Sequence, residues 1–582
     1  MLYLRVTLTS LIAVLLFQLS WSGARAQTLP RPPSTTNDAE QKRLELLSDL
    51  QILAARAKQL GKPLARAVAQ TEIADAAWWV DRAMAEDLLR DAYSATFPSE
   101  EEQEKLRQRP FGADPPFPTS DGRARTSVRW RVMKIAARDK ALAQELANSA
   151  LEKLGAYEAH AAYSSLASNS ISENDHQSAG AYILKAIDAD PTYIEAPMQI
   201  NQVAAINRAA ADELILAYMN RLSSSNLPAL GRARSMLALN VLIRPQVEFW
   251  GGVPGTPLPG PNVMRAYVAY VLNDVAALER QRPESIFASR LTLLHNYPLL
   301  NQYASDLRPQ FLELEQRSRR PGERFSLPTE RSMEQDYKDN YEKLVKRELE
   351  KDHPDEIVIQ RAIGREDFDR ARKMIDKLED GPRKVQLLDL LNIKQALSLA
   401  NKGEIEEARR LAQSLVRASS IQEVFPVIIN KCVANKDDIC TAEVVDQAIK
   451  QLRKSDTAPV ITPPGIPASI IPTGKAHDPV LASFGKLALS VMAIDDLAFA
   501  VIEELSSVAN RSELDTGEGY VGFESSLFQK LAARDEGRAT SAAMTLKNPL
   551  QQIVALAGVD QWKSARFKPN SNPLGSVTKP KK

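Results

Sequence analysis

Apolar residues recur at three- and four-residue spacing along most of this chain, and the alternation of Val, Ile and Thr with polar residues that marks strands is nearly absent. A chain patterned in this way can bury its apolar surface only by packing helix on helix. Gly, Pro, Asp and Asn interrupt the pattern at short intervals, so it reads as many short helices and not a few long ones. The spacing predicts a helix from 64 to about 80, a second from about 81 to 96, and further helices from about 126 to 243. The expected fold is all-α: an α-solenoid of antiparallel helix pairs with Pro/Gly-rich loops between helices.

The loops divide the chain. Pro-rich stretches run from Arg109 to Pro118, from Phe249 to Pro261 and from Pro459 to Gly474, longer than most connections inside a compact domain. The mixed-sign run from Glu330 to Asp352 reads as a solvated connecting helix. The resulting division begins with a signal peptide at 1–26 and a linker with the first helix at 27–63. It continues with N-terminal repeats at 64–245, a middle helical region at 246–355 and a further set of helix pairs at 356–454. A Pro-rich linker at 455–478, C-terminal repeats at 479–562 and a basic tail at 563–582 complete it. The tail has no acid and few apolar groups, and is expected to be disordered.

The first residues bear on compartment. Arg5 precedes an apolar run from Val6 to Leu19, and Ala24-Arg25-Ala26 places small residues where a signal peptidase cuts, between Ala26 and Gln27. The run is shorter than the roughly 20 residues of a spanning helix. Export to the periplasm or the extracellular space, with no transmembrane span after removal of the signal, is the expectation. Cleavage would remove Arg5 and Arg25 and change the formal charge from +1 to −1. Such a balance gives no electrostatic footprint for nucleic acid.

A short pattern recurs where one helical run stops and another starts. Asp81, Asp139, Asp175, Asp367, Glu404, Asp496 and Asp535 each stand four residues before an Ala. An acid at a helix start accepts hydrogen bonds from unpaired N–H groups, worth roughly 1 kcal/mol. A small residue one turn later lets the new helix lie close to the old one. Phe368–Leu378 also aligns with Ile405–Leu415 at an offset of 37 residues, close to the period of two-helix repeats. Ala179, Ile183, Ala186 and Pro191, with the run KAIDADP ending at Pro191 and GEIEEARRLAQSL from Gly403 to Leu415, resemble the tetratricopeptide repeat family. The resemblance covers about 174–191 and 364–415. It implies stacked antiparallel helix pairs with a surface that binds peptides or protein segments, and it carries over no binding residue.

No motif points to chemistry. His160, His176, His295, His353 and His477 are far apart, and none makes a zinc-hydrolase pair. Gly517-x-Gly519-x-x-Gly522 matches the dinucleotide fingerprint by letter, but a helical run and a polar loop precede it where the motif needs a strand. Glu524-Ser525 resembles the Glu-Ser start of lysozyme-like glycan-cleaving motifs. Its spacing to Phe528 is one residue too long and the following Gly-Leu-Met-Gln segment is missing, so Glu524 reads as a helix-start residue. No catalytic, cofactor or metal residues are assigned. Trp78, Trp79 and Trp250 are the candidate recognition aromatics, with core packing as the competing role. Cys432 and Cys440 flank a turn-like VANKDD stretch and are expected to form a disulfide. The functional expectation is an exported, non-enzymatic helical-repeat scaffold for a protein or peptide partner. An all-helical envelope enzyme and an oligomerising structural protein are the alternatives.

Overall fold

A computed structural model describes residues 36–107, 120–154, 156–190, 196–225, 229–243, 256–281, 286–318, 330–455, 479–511 and 521–568. It divides into two compact units, 1–49 and 50–582. About 85% of the described residues are helical and none is in a strand. The fold is all-α, an α-solenoid. The helices are α1 (Thr36–Lys58), α2 (Pro63–Ala77), α3 (Arg82–Ala95), α4 (Glu100–Arg107), α5 (Ser120–Ala136), α6 (Lys140–Leu154), α7 (Ala156–Ser172), α8 (His176–Ala189), α9 (Ala196–Ile206), α10 (Arg208–Ser224), α11 (Ala229–Ile243), α12 (Pro261–Gln281), α13 (Ile286–Tyr303) and α14 (Arg308–Arg317). They continue with α15 (Glu330–Glu350), α16 (Glu356–Gly364), α17 (Phe368–Asp376), α18 (Pro382–Lys402), α19 (Ile405–Ala412), α20 (Ala418–Ala434), α21 (Asp438–Ser455), α22 (Pro479–Ser490), α23 (Asp495–Arg511), α24 (Ser525–Arg534), α25 (Glu536–Thr545) and α26 (Pro549–Ser564).

The acid-to-small-residue pattern marks the joints, and the joints come in two backbone forms. In one, a single left-handed residue sits before the next helix: Asn174, Glu366, Gly403 and Lys436 have φ of 59°, 59°, 87° and 57°. The amide after each closes on the previous helix, as Asp175 N does on Ser170 O at 2.9 Å, Asp367 N on Ala362 O at 3.0 Å, Glu404 N on Leu399 O at 2.9 Å and Asp437 N on Cys432 O at 3.0 Å. This is the hydrogen bond of a Schellman cap. In the other form the cap residue is extended: Asp81, Asn207 and Asp535 have φ, ψ of −141°, 95°; −144°, 97° and −149°, 103°. Five of these acids accept side-chain caps, from Met84 N (Asp81, 3.0 Å), Leu142 N (Asp139, 3.0 Å), Ser178 N (Asp175, 3.1 Å), Cys440 N (Asp437, 2.9 Å) and Arg538 N (Asp535, 2.9 Å). The residues one turn later, Ala85, Ala143, Ala179, Ala371, Ala408 and Ala539, are all fully buried. The Asp496–Ala500 match departs from this rule. Helix α23 starts two residues earlier in register: Ala498 N closes on Ile494 O, Ala498 is buried, and Ala500 is exposed.

In the unit formed by residues 50–582 the helix pairs stack side by side, most helices packing on a sequence neighbour and on a helix of an adjacent pair. One row runs α16, α18, α20, α22, α24, α26 and then, without a break, α2, α5, α7, α9 and α11. The last long helix of the chain therefore packs beside α2 as though the two belonged to successive repeats. This explains the burial of both. Helix α2 hides Leu64, Ala65, Ala67, Ala69, Ile73, Ala74, Ala76 and Ala77, and α26 hides Leu550, Ile553, Val554, Ala555, Ala557 and Val559. A helix apolar on most of its circumference belongs in the middle of an array. An end repeat would need a polar outer face. Close approach is built in at Gly558, where a Cβ would stand 2.2 Å from Ser525 O.

Lys563 was expected to begin a disordered tail, and the structure moves that boundary. Helix α26 continues to Ser564, and a 3₁₀ turn spans Ala565–Phe567. The Arg566 guanidinium lies 3.9 Å from the Trp562 ring centroid and the Lys568 ammonium 5.7 Å from that of Trp79. Aromatic faces hold these cations, which a count of charged and apolar residues does not register. Residues 569–582 lie outside the described residues, as do Arg109–Pro118 and Pro459–Gly474.

Candidate functional site

The junction of α26 with α2 gathers a polar cluster around Glu72. Arg131 of α5 donates to Glu72 through Nε and Nη2, both at 3.0 Å, and through Nη2 to Asp75 at 2.6 Å. Arg138 donates to the other Asp75 oxygen at 2.5 Å. From the far end of the sequence, Ser525 Oγ donates to Glu72 Oε2 at 2.5 Å and Gln561 Nε2 to the same oxygen at 3.0 Å. Burial pushes the Glu72 carboxyl up, but the Arg131 charge and the hydrogen bonds of Arg131, Ser525 and Gln561 outweigh it and hold the group below its ordinary value. The arrangement has a carboxylate with its acceptor positions filled and two always-charged guanidinium groups. It holds elements together and offers no proton to transfer.

The candidate aromatics border this cluster. Trp78 is buried at 4% exposure, with the Arg82 and Arg138 guanidinium groups each 5.7 Å from its ring. Trp79 points elsewhere, is half-buried, and has Arg138 at 6.0 Å and Lys568 at 5.7 Å. Adjacent residues near a helix end diverge by about 100°, which sends one ring inward and leaves the other at the edge. Trp250 lies outside the described residues, and so do Ala26 and Gln27.

Glu524 stands exposed at the start of α24 and accepts from Ser526 Oγ at 3.1 Å. Its neighbour Ser525 is the buried one that reaches Glu72. Gly522 has φ of 86°, and a Cβ there would meet the Leu481 side chain at 2.3 Å. That glycine serves a tight loop between helices. Cys432 and Cys440 are joined at the α20–α21 turn with α-carbons 5.8 Å apart. Among the described residues no helix is long and apolar enough to cross a membrane.

A second feature is an open groove of about 620 Å³ between α19 and α21. Arg409 on α19 bridges its walls, donating to Glu406 at 2.9 Å and to Glu443 at 3.0 Å. Gln447 Nε2 donates to Arg409 O at 3.3 Å, and Ser455 Oγ closes one end by donating to Val416 O at 2.8 Å. Sequence reading missed both the groove and the Glu72 cluster. Their members lie tens to hundreds of residues apart, and the one local sign was the polar trio Gln70-Thr71-Glu72 inside an Ala-rich helix.

No family model matches the chain, and no curated protein matches it. Among solved structures it is similar to a "Circular tandem repeat protein with novel repeat topology and enhanced subunit contact surfaces". That match has 12% identity and covers 88% of this chain and 97% of the other, at a TM-score of 0.13. A superposition at that level carries no argument about this chain.

Proposed function

We propose that the chain is an exported, non-enzymatic helical scaffold that holds a protein or peptide partner outside the cytoplasm. The observation that carries this reading is the unbroken row of helices from α16 through α26 and α2 to α11. Stacked helix pairs present an extended surface built from many repeats, which suits them to hold long partners. The Glu72 cluster supports the reading, because it uses its charges to fasten the two ends of the chain to each other. The Cys432–Cys440 bond fits an oxidising compartment.

The test is chemical cross-linking of purified protein, starting at Gln27, in the envelope fraction of its host. The expected result is one saturable partner recovered in fixed ratio. A purified protein that turns over a glycan or peptide substrate, with no saturable partner, would contradict the scaffold. A concentration-dependent mass in sedimentation, again with no partner, would favour a structural oligomer instead.

A further inference from the structure

The left-handed joints at Asn174, Glu366, Gly403 and Lys436 share one backbone form, and only the last carries a disulfide. Where it has Cys432 and Cys440, the others have Ser170 and Ser178, Ala362 and Arg370, and Leu399 and Glu407. The joint at Lys436 closes by hydrogen bonds that do not pass through sulfur. Asp437 N donates to Cys432 O at 3.0 Å, Thr441 N to Asp437 O at 3.0 Å and Cys440 N to Asp437 Oδ1 at 2.9 Å. Three such joints form without a disulfide, so the fourth keeps its backbone shape when the bond is broken. The bond is then available for chemistry.

The two sulfurs differ in access. Cys432 lies in the last turn of α20, is 1% exposed and belongs to the apolar core. Cys440 lies in the first turn of α21 and is half-buried. Ile439 beside it, at 74%, is the most exposed large apolar side chain among the described residues. An external thiol therefore reaches the bond at Cys440. The first turn of a helix carries partial positive charge and favours a thiolate, and the last turn disfavours one. Asp437 and Asp438 oppose this at Cys440, but both are exposed and screened. One sulfur is thus open to attack, and the other is held back to resolve the product.

We propose that Cys432–Cys440 is an exchangeable disulfide that reacts with external thiols at Cys440. A thiolate bonds to Cys440 Sγ as the Cys432–Cys440 bond breaks. Cys432 Sγ leaves with the electron pair and takes up the proton that the thiol gave off on ionising. A second thiolate then attacks the external sulfur of the mixed disulfide, and Cys440 leaves as the thiolate. Two thiols are oxidised to one disulfide, and the protein disulfide is reduced to two thiols. The α-carbons, 5.8 Å apart, keep Cys432 within reach of Cys440 for the return reaction. This exchange is stoichiometric and does not depend on the scaffold reading.

Reduced glutathione is the first probe, in excess over the whole protein from Gln27 at about pH 8, where it supplies thiolate. Samples are quenched with an alkylating agent in urea, and the labelled thiols are counted by mass. Reduction of the folded protein should run within about tenfold of its rate in urea, with helical circular dichroism unchanged. A bond that yields only after urea has unfolded the chain would overturn the proposal. Oxidised glutathione is the second probe. Cys432→Ser, which lacks the resolving sulfur, should gain one glutathione on Cys440. Cys440→Ser should stay unmodified while folded. Equal modification of the two variants would overturn the assignment of Cys440 as the point of attack.

Discussion

At the scale of single residues, Glu72 decides most. Its folded-state pKa lies below the ordinary 4.5, so its contribution to stability is full above that value and is lost as the pH falls through the folded pKa. Glu72→Gln should lower stability by about 2–3 kcal/mol near neutral pH, because Arg131 keeps Asp75 but loses its main partner. The gap between variant and parent should close as the medium is acidified below about pH 4.5. Urea titrations at several pH values would show this, and a gap independent of pH would mean that the carboxylate charge plays no part. Gly558→Ala drives a methyl group into Ser525 O and should cost about 3 kcal/mol. A melt like the parent's would show that α24 and α26 stand further apart. Neither residue was legible in the sequence. A glutamate in an alanine-rich helix gives no sign that its partners are an arginine about 60 residues on and a serine at the other end of the chain. The capping acids were legible, because a cap and its small neighbour lie four residues apart and obey a local rule.

At the scale of elements, the joints make a sharper claim. Asp535→Ala removes a cap to Arg538 N and should cost about 1 kcal/mol, measured by thermal or urea unfolding. Ala539→Leu would force three more carbons into a fully buried site and should cost about 1–3 kcal/mol. Should Ala539→Leu prove the milder of the two, the small residue would not be what sets the helix spacing. The αL joints at Glu366, Gly403 and Lys436 recur at 37 and 33 residues, the first equal to the offset that the sequence alignment detects. The failed match at Asp496 shows the limit of the rule, since the letters alone do not say which residue ends the preceding turn. The Cys432–Cys440 bond belongs to one of these joints and is tested by alkylation without reductant. No labelled thiol is expected in the exported protein, and two labelled thiols would refute the bond.

At the scale of the whole unit of residues 50–582, the central claim is that its two ends meet inside one array. Helical periodicity made the all-α fold and the pairing legible. The adjacency of α26 and α2 was not, because pairs in a solenoid read alike wherever they stand and no local signal says which pair is terminal. The junction joins helices nearly 500 residues apart, through Arg56 and Gln552 as well as through Glu72, Ser525 and Gln561. Hydrogen exchange of backbone amides tests it most directly, by comparing the intact protein with a form that ends at Asn548. In the intact protein Leu64–Ala77 and Leu550–Ser564 should both fall in the slowest-exchanging class, as helices in the middle of an array do. In the shortened form the amides of Leu64–Ala77 should lose most of that protection while those of α18 to α20 keep theirs. Rapid exchange of Leu64–Ala77 in the intact protein, or protection that survives removal of α26, would contradict the account.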